Sequence, residues 1–486
     1  MSENPTQFPI HGVPKAEILE AMQAARAHDV KWHDGKVFSL VFHAGDEISD
    51  LIKEAYTMFF SENGLNPTAF PSLRQFETEV VAMAASLLGS DGSVVGNMTT
   101  GGTESLLMAV KTARDYARLT RPHIREPEII IPASAHPALD KAGEYFDVKV
   151  IRTPIASDLK ADVAVMRAAI SPNTILLVGS APSYPHGIVD PIPEIAALAR
   201  EYNLLCHVDA CVGGMMLPFV RRLGYPVTDF DFSVSGVTSL SVDLHKYGYA
   251  AKGASVILYR NRDLRRPQIF VSTDWAGGIY ASPTMTGTRP GGAIAAAWAV
   301  LNYLGEDGYM AIADVVMKTA VKIRDGINAI DGIRVLGNPE MSVMAIASDR
   351  LNVYEIGDEM TMRGWHLDRQ QFPPTLHVTI NYAHAQRAEE FLSDLAESVA
   401  IVQKPSLGKI GNAFIVNAAR LATRVLPESI VSRLTARASS LFGGSSGLPE
   451  RSAAMYGMMG TLPNRGDLKE LVLDLVEGFT TPTPPR

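Results

Sequence analysis

Between about residues 90 and 260, short β-branched runs alternate with amphipathic helical stretches. No other feature of the chain restricts its fold as much. EIIIP (128–132), VKVIRT (148–153), TILLVGSA (174–181), LLCHVD (204–209), DFSVSG (231–236), SLSVDL (239–244) and ASVILYR (254–260) read as strands. ALDKAGEYF, DLKADVAVMRAAI and IPEIAALAREY lie between them and read as helices. Such alternation implies an α/β fold with a seven-stranded, mostly parallel sheet.

The flanks differ in texture. Residues 1–60 read as a helical segment, through AEILEAMQAARAHD and EISDLIKEAYTMFF. The turn-rich link SENGLNPTAFPS opens a large domain over 61–305, in which RQFETEVVAMAASLLG is a helix ending at Gly89 and Ala293–Leu304 a buried one. From 306 to 486, strand-like GIRVLG, EMSVMAIAS and TLHVTIN mix with helices, as in a smaller C-terminal α+β domain. A basic amphipathic stretch interrupts it at 404–447, with Lys404, Lys409, Arg420, Arg424, Arg433 and Arg437 among apolar residues. It reads either as a solvated helical hairpin or oligomer contact, or as a peripheral membrane contact.

Composition narrows the function classes. With 44 basic and 52 acidic side chains the net charge is −8, which argues against nucleic acid as a partner. Two cysteines in 486 residues build no disulfide framework, and their spacing suits no zinc site, so no metal is expected. The polar, Pro-rich start MSENPTQFPIHGVPKAE carries no signal-peptide core, and no run reaches the roughly 20 apolar residues of a membrane span. A cytoplasmic protein is expected.

The chemistry concentrates at strand ends. GNMTTGGTES (96–105) places Gly101 and Gly102 at the start of a helix, where bare N–H groups and the helix dipole favour an anion; Thr103 adds a hydroxyl. It is neither a Walker A loop nor G-x-G-x-x-G. His136 follows the strand EIIIP in the loop SAHPALDKA, and Asp209 ends LLCHVD, at the edge of the sheet that faces ligands in open α/β folds. Lys246 stands in SVDLHKYGYAAKGAS, between two apolar strands, where a lysine is rare unless paired or reacting. A phosphate cradle, a His able to stack on a ring, a strand-end Asp and a buried Lys make up the set that pyridoxal 5′-phosphate requires. The lysine forms the Schiff base, the Asp keeps the pyridine nitrogen protonated, and burial is expected to lower the lysine pKa.

These motifs resemble the sphingosine-1-phosphate lyase family, among the group II decarboxylase-like, fold-type I pyridoxal phosphate enzymes. The resemblance runs through FPSLRQFETEVVAMAASLLG, MTTGGTES, SAHPALDKA, GSAPSYPHGIVDPI, HVDACVGG, TSLSVDLHKYGYAAKGAS and TDWAGGIYASPTMTGTRPGG, in order from about 65 to 305, with MYGMMG (455–460) as a weaker echo. It implies that Lys246 anchors the cofactor, that His136 stacks on it, that Asp209 meets its ring nitrogen, and that Gly102, Thr103 and His245 hold its phosphate. Gly287 would reach the phosphate from the partner subunit of a homodimer with shared active sites. Asn66, Tyr184, Lys252 and Tyr456 would face the substrate.

The implied reaction is retro-aldol cleavage of a phosphorylated sphingoid base to a fatty aldehyde and ethanolamine phosphate, with Lys252, Tyr184 or a water as base. Two stretches depart from the family. Its longer, His-containing turn is shortened here to NPTAFPSL (66–73), and SLVFHAGD (39–46) carries Phe42 and His43 where the family has a Tyr; His43 is the candidate replacement near the substrate's phosphate. An L-amino-acid decarboxylase is the alternative, because the same cofactor residues serve it. A lipid-binding protein with a decayed site, and a serine hydrolase built on GGSSG (443–447), are the readings from other classes.

Overall fold

The structure is a computed structural model that describes residues 8–27, 29–404, 453, 456 and 465–481. Three helices come first: Lys15–Arg26 (α1), Asp46–Met58 (α2) and Pro71–Leu87 (α3), the last opening on a proline whose missing N–H is no loss in a first turn. The alternating region follows. Its strands are Val95–Thr99 (β1), Glu128–Pro132 (β2), Lys149–Thr153 (β3), Thr174–Ser180 (β4), Leu205–Asp209 (β5), Ser239–Asp243 (β6) and Ser255–Tyr259 (β7). Between them run Gly102–Thr120 (α4), Ala138–Phe146 (α5), Val163–Ala169 (α6), Ile192–Glu201 (α7) and Leu217–Arg222 (α8).

The seven strands form one sheet in the order β1-β7-β6-β5-β4-β2-β3. The pairs from β6 to β3 are parallel, and β7 runs against both β6 and β1. This is the seven-stranded, mostly parallel α/β sheet expected from the alternation. Strands β2, β4, β6 and β7 are buried along their whole length, as strands covered on both faces must be. One face carries a core that includes Val80, Ile192, Leu217 and Val300; the other carries Leu106, Val110 and Leu139 from α4 and α5.

Two strand assignments differ from the sequence reading. DFSVSG is a turn: Asp231 Oδ1 accepts from both Ser233 N (2.9 Å) and Ser233 Oγ (2.5 Å), and Arg260 bonds the carbonyls of Phe232, Val234 and Val237. A side chain that satisfies its own backbone competes with a ladder. The seventh strand is β1, whose Gly96 and Asn97 weaken its pattern. Gly96 is needed there, since a Cβ would lie 2.3 Å from the carbonyl oxygen of Ile257 on β7.

Beyond β7 come Arg262–Arg265 (α9), the antiparallel ribbon Phe270–Ser272 (β8) and Tyr280–Ser282 (β9), and Gly291–Ala329 (α10), which is kinked at Gly305 (φ 54°). The expected helix over 293–304 is its first half. The pair Arg334–Val335 (β10) and Val343–Ala347 (β11) is antiparallel.

By its contacts the chain divides into two units, Phe38–Ala347 with His377–Leu392, and Met1–Val37 with Ser348–Leu376 and Ser393–Arg486. In the second, Asn352 Oδ1 caps Val353–Met362 (α11) through Tyr354 N at 3.1 Å. Arg369 from Asp368–Gln370 (β12) pairs with Asp358 at 2.6 Å, and Tyr354 lies 5.7 Å from the Tyr456 ring. The amphipathic stretch at 404–447 lies, beyond Lys404, outside the described residues. Among the described residues no helix is long and apolar enough to cross a membrane.

Candidate active site

The carboxyl ends of the parallel strands carry the reactive side chains, as the crevice rule for open α/β sheets requires. Strand β6 ends at Asp243, and the chain returns into β7 at Ser255. The loop between them is tightly bonded: His245 N and Nδ1 both approach Ala254 O (3.1 and 2.8 Å), Ala250 N donates to Leu244 O (3.0 Å), and Tyr249 N donates to Lys246 O (2.9 Å) with Tyr249 at φ 54°. That frame sets Lys246 Nζ 2.9 Å from Asp243 Oδ2.

The pairing corrects one expectation. Burial does oppose the Lys246 ammonium, but the carboxylate of Asp243, with help from Asp209, outweighs it and holds Lys246 above the ordinary lysine range. Burial likewise opposes the Asp243 carboxylate, and the Lys246 and His245 charges hold it below the ordinary range. Asp243 is 2% exposed, and its Oδ1 is buried with no hydrogen-bond partner.

The glycine turn lies against this pair. A Cβ on Gly102 would stand 2.8 and 2.9 Å from the two Asp243 oxygens and 2.9 Å from Cys211 Sγ; one on Gly101 would stand 3.8 Å from His245 Cε1. Helix α4 starts at Gly102 with no side-chain cap, so Thr103 leaves the first N–H groups for another acceptor. Glu104 fixes the turn. Its Oε2 accepts from Thr100 N and Thr100 Oγ1, both at 2.6 Å, and its Oε1 accepts from Met285 N at 2.8 Å.

Asp209 ends β5, 7% exposed, with Oδ1 accepting from Cys211 N at 3.1 Å. Behind it His207 is clasped by Ser239 Oγ (2.9 Å) and Ser241 Oγ (3.3 Å), and burial lowers it to about 4. Burial and the Asp209 and Asp243 carboxylates push the Cys211 thiol well up, so it stays protonated. His136 is exposed beside α5, its Nδ1 accepting from Ala138 N at 3.1 Å, which leaves the proton of a neutral ring on Nε2.

The substrate-side candidates have the following partners. Tyr184 stacks on His377 at 4.1 Å. Lys252 Nζ donates to Leu40 O at 2.8 Å and lies 5.7 Å from the Phe42 ring. Although Lys252 is exposed, desolvation of its ammonium and the Lys246 charge lower it to about 8. Asn66 Oδ1 caps its own turn, accepting from Thr68 N and Ala69 N at 3.1 and 3.0 Å. His43 meets Ser49 Oγ through Nδ1 (3.2 Å) and Asp46 through Nε2 (3.7 Å). Gly287 packs on the Tyr280 hydroxyl, two residues before Arg289, which pairs with Glu77 at 2.5 Å. Tyr456 belongs to the other unit, under the Arg369 guanidinium at 5.7 Å.

Sequence reading missed Asp243, Glu104 and the packing of Phe42. For Asp243 a signal was present: a carboxylate at a strand end three residues before a buried lysine. The glycine turn without Cβ atoms and the uncapped helix start together fit a small anionic aldehyde held next to Lys246.

Residues 1–346 match the family described as the pyridoxal-dependent decarboxylase conserved domain. The sphingosine-1-phosphate lyase of rice (Oryza sativa subsp. japonica) is 42% identical over 480 residues, 97% of this chain and 81% of that protein. The structure of the Burkholderia pseudomallei K96243 sphingosine-1-phosphate lyase matches with a TM-score of 0.79 at 39% identity, over 85% of this chain and 96% of that one. The L-aspartate/L-glutamate decarboxylase of Pyrococcus horikoshii is 34% identical over 80% of this chain and 99% of that protein.

Proposed function

Because the chain belongs to the sphingosine-1-phosphate lyase family of pyridoxal-dependent enzymes, we propose that it cleaves a phosphorylated sphingoid base into a fatty aldehyde and ethanolamine phosphate. The observation that carries the cofactor chemistry is Lys246 paired with Asp243 beside the Gly102 turn, and the likeness to the lyases carries the substrate class. The decarboxylase reading has less support, since several lyases of this family, from 38% to 44% identical, resemble the chain more than the decarboxylase does.

Bound pyridoxal phosphate supplies the electron sink for the bond that breaks. The chain supplies the rest. Lys246 Nζ would hold the cofactor's aldehyde carbon, Asp209 would pair with its ring nitrogen, and His136 would cover its ring. Gly101, Gly102, Thr103 and His245 receive the phosphate. Lys252 takes the proton of the substrate hydroxyl as the neutral amine, the form that a pKa lowered to about 8 makes available. Tyr184, Asn66 and His43 are the substrate-side candidates of the unit that carries Lys246, and Tyr456 is the candidate of the other unit. The working enzyme is a homodimer in which Gly287 serves the neighbouring site. Both cysteines are buried free thiols, which suits a reducing cytoplasm. The stretch at 404–447 is the candidate for peripheral contact with the lipid's membrane.

The test follows products by mass spectrometry, with dihydrosphingosine-1-phosphate in one arm and a panel of amino acids in the other. Aldehyde with ethanolamine phosphate supports the lyase. Amine with carbon dioxide and no aldehyde replaces it with a decarboxylase. Lys246→Ala should bind the cofactor weakly and turn over neither.

A further inference from the structure

We infer that Asp243 is the proton acceptor for Lys246 when the chain takes up its cofactor, and that the cofactor's own phosphate makes Asp243 accept. The inference rests on the pyridoxal phosphate reading above and concerns how the site is loaded.

Two features of the site oppose uptake of the cofactor. Lys246 is an ammonium bound to Asp243 at 2.9 Å, and an ammonium has no lone pair with which to attack an aldehyde. The glycine turn that should welcome an anion has a buried carboxylate beside it, 2.8 Å from where a Gly102 Cβ would be. Asp243 is the residue common to both. Moving one proton from Lys246 Nζ to the Asp243 carboxylate removes both obstacles. The lysine becomes a neutral amine, and the cradle loses its negative charge. The amine and the aldehyde then condense with loss of one water. The transferred proton stays on Asp243, which becomes a hydrogen-bond donor beside the phosphate. Its free Oδ1 leaves room for that role.

The neighbours of Asp243 do not substitute for it. His245 Nδ1 faces Ala254 O at 2.8 Å, and its Nε2 is 3.8 Å from Asp243 Oδ2. Cys211, from the turn after β5, is a thiol held protonated. Asp209 accepts from Cys211 N, and Lys252 is a second amine whose Nζ donates to Leu40 O and which the charge of Lys246 lowers. In the unloaded chain the ion pair is the stable form, with the lysine above and the aspartate below their ordinary ranges. A phosphate dianion arriving next to Asp243 raises the aspartate toward accepting the proton, because a nearby like charge disfavours a carboxylate.

The experiment measures the rate of appearance of the visible cofactor–lysine band against pH in the cofactor-free enzyme. The probes are pyridoxal phosphate and 5′-deoxypyridoxal, which keeps the aldehyde and lacks the phosphate. In the wild type the midpoint for 5′-deoxypyridoxal should lie about 1–3 pH units above that for pyridoxal phosphate. Asp243→Asn should lower the 5′-deoxypyridoxal midpoint and make the two coincide. Equal midpoints in the wild type, or a difference that survives in Asp243→Asn, overturn the inference. The wild-type comparison decides alone if the variant does not fold. A band that forms equally in Lys246→Ala sinks the cofactor reading instead, and the inference with it.

Discussion

Lys252 Nζ donates to the carbonyl oxygen of Leu40 across 2.8 Å, joining residues 212 positions apart. Leu40 sits at φ 66° in a turn closed by Val41 N to Ser39 O at 2.7 Å, and Phe42 packs edge-on against Tyr247 at 4.9 Å. The stretch that departs from its family therefore holds the lysine proposed as base. Turnover should rise with pH through an apparent pKa below the ordinary lysine value, because desolvation of its ammonium lowers Lys252. Lys252→Arg, which stays charged, should lose about 10²–10⁴-fold in kcat while keeping the cofactor band. A pH–rate profile flat from 7 to 9 would remove Lys252 from that role.

Gly102→Ala tests the cradle. Its methyl would press on a carboxylate and a sulfur, both fixed and buried. Pyridoxal phosphate affinity, read by titration of the visible band, should fall at least about tenfold, roughly 1.4 kcal/mol. Far-UV circular dichroism should be unchanged, since alanine suits a helix start better than glycine does. Equal affinity in the two proteins would show that the phosphate binds elsewhere.

Glu104→Gln loosens the same turn from its other side. The carboxylate accepts three hydrogen bonds, from Thr100 N, Thr100 Oγ1 and Met285 N. An amide presents an N–H to at least one of these donors, leaving a bond unmade at a cost of about 1–3 kcal/mol. We expect weaker binding of pyridoxal phosphate but unchanged binding of 5′-deoxypyridoxal. Equal loss for both would make Glu104 a support of the fold and not of the phosphate turn.

Two buried groups should pull stability in opposite directions in acid. His207 is lowered by burial from its ordinary 6.5 to about 4, so the unfolded chain binds the proton first. Its contribution is complete above pH 6.5 and lost as pH falls toward 4, about 3 kcal/mol in all. Burial raises Asp190 from 3.8 to about 6, against the bonds it accepts from Ser180 N and Ala161 N, each 2.8 Å. Its contribution is complete below pH 3.8 and lost as pH rises through 6. The two nearly cancel. His207→Gln, measured by urea unfolding of the cofactor-free chain, should expose a stability that increases from pH 6.5 to 4.5 relative to the wild type. Parallel profiles would refute the assignment.

Much of this was legible in the sequence for physical reasons. Apolar β-branched runs such as EIIIP and TILLVGSA have one use in a chain with helices between them, so the sheet and its strand ends followed. Lys246, Asp209 and Gly102 stood out because each is costly or unusual at a strand end or helix start. Strand β1 was hidden because Gly96 is chosen for its lack of bulk next to Ile257, which lowers the very propensity that marks strands. DFSVSG misled because the hydrogen bonds of Asp231 to Ser233 leave no trace in an apolar pattern. The Asp243–Lys246 pair needed coordinates, since residues three apart on a turn meet or miss according to backbone angles alone.

The loop that carries Lys246 is pinned at both ends by ladder pairs, Asp243 opposite Ser255 and Val242 opposite Val256. An insertion or deletion there would shift the register of two central strands and turn their side chains to the wrong face. Segments 39–45 and 66–70 are connectors in which a change of length costs little chain entropy. A lineage of such proteins can therefore lengthen, shorten or rewrite these connectors generation after generation, while the lysine hairpin tolerates only exchange of one residue for another.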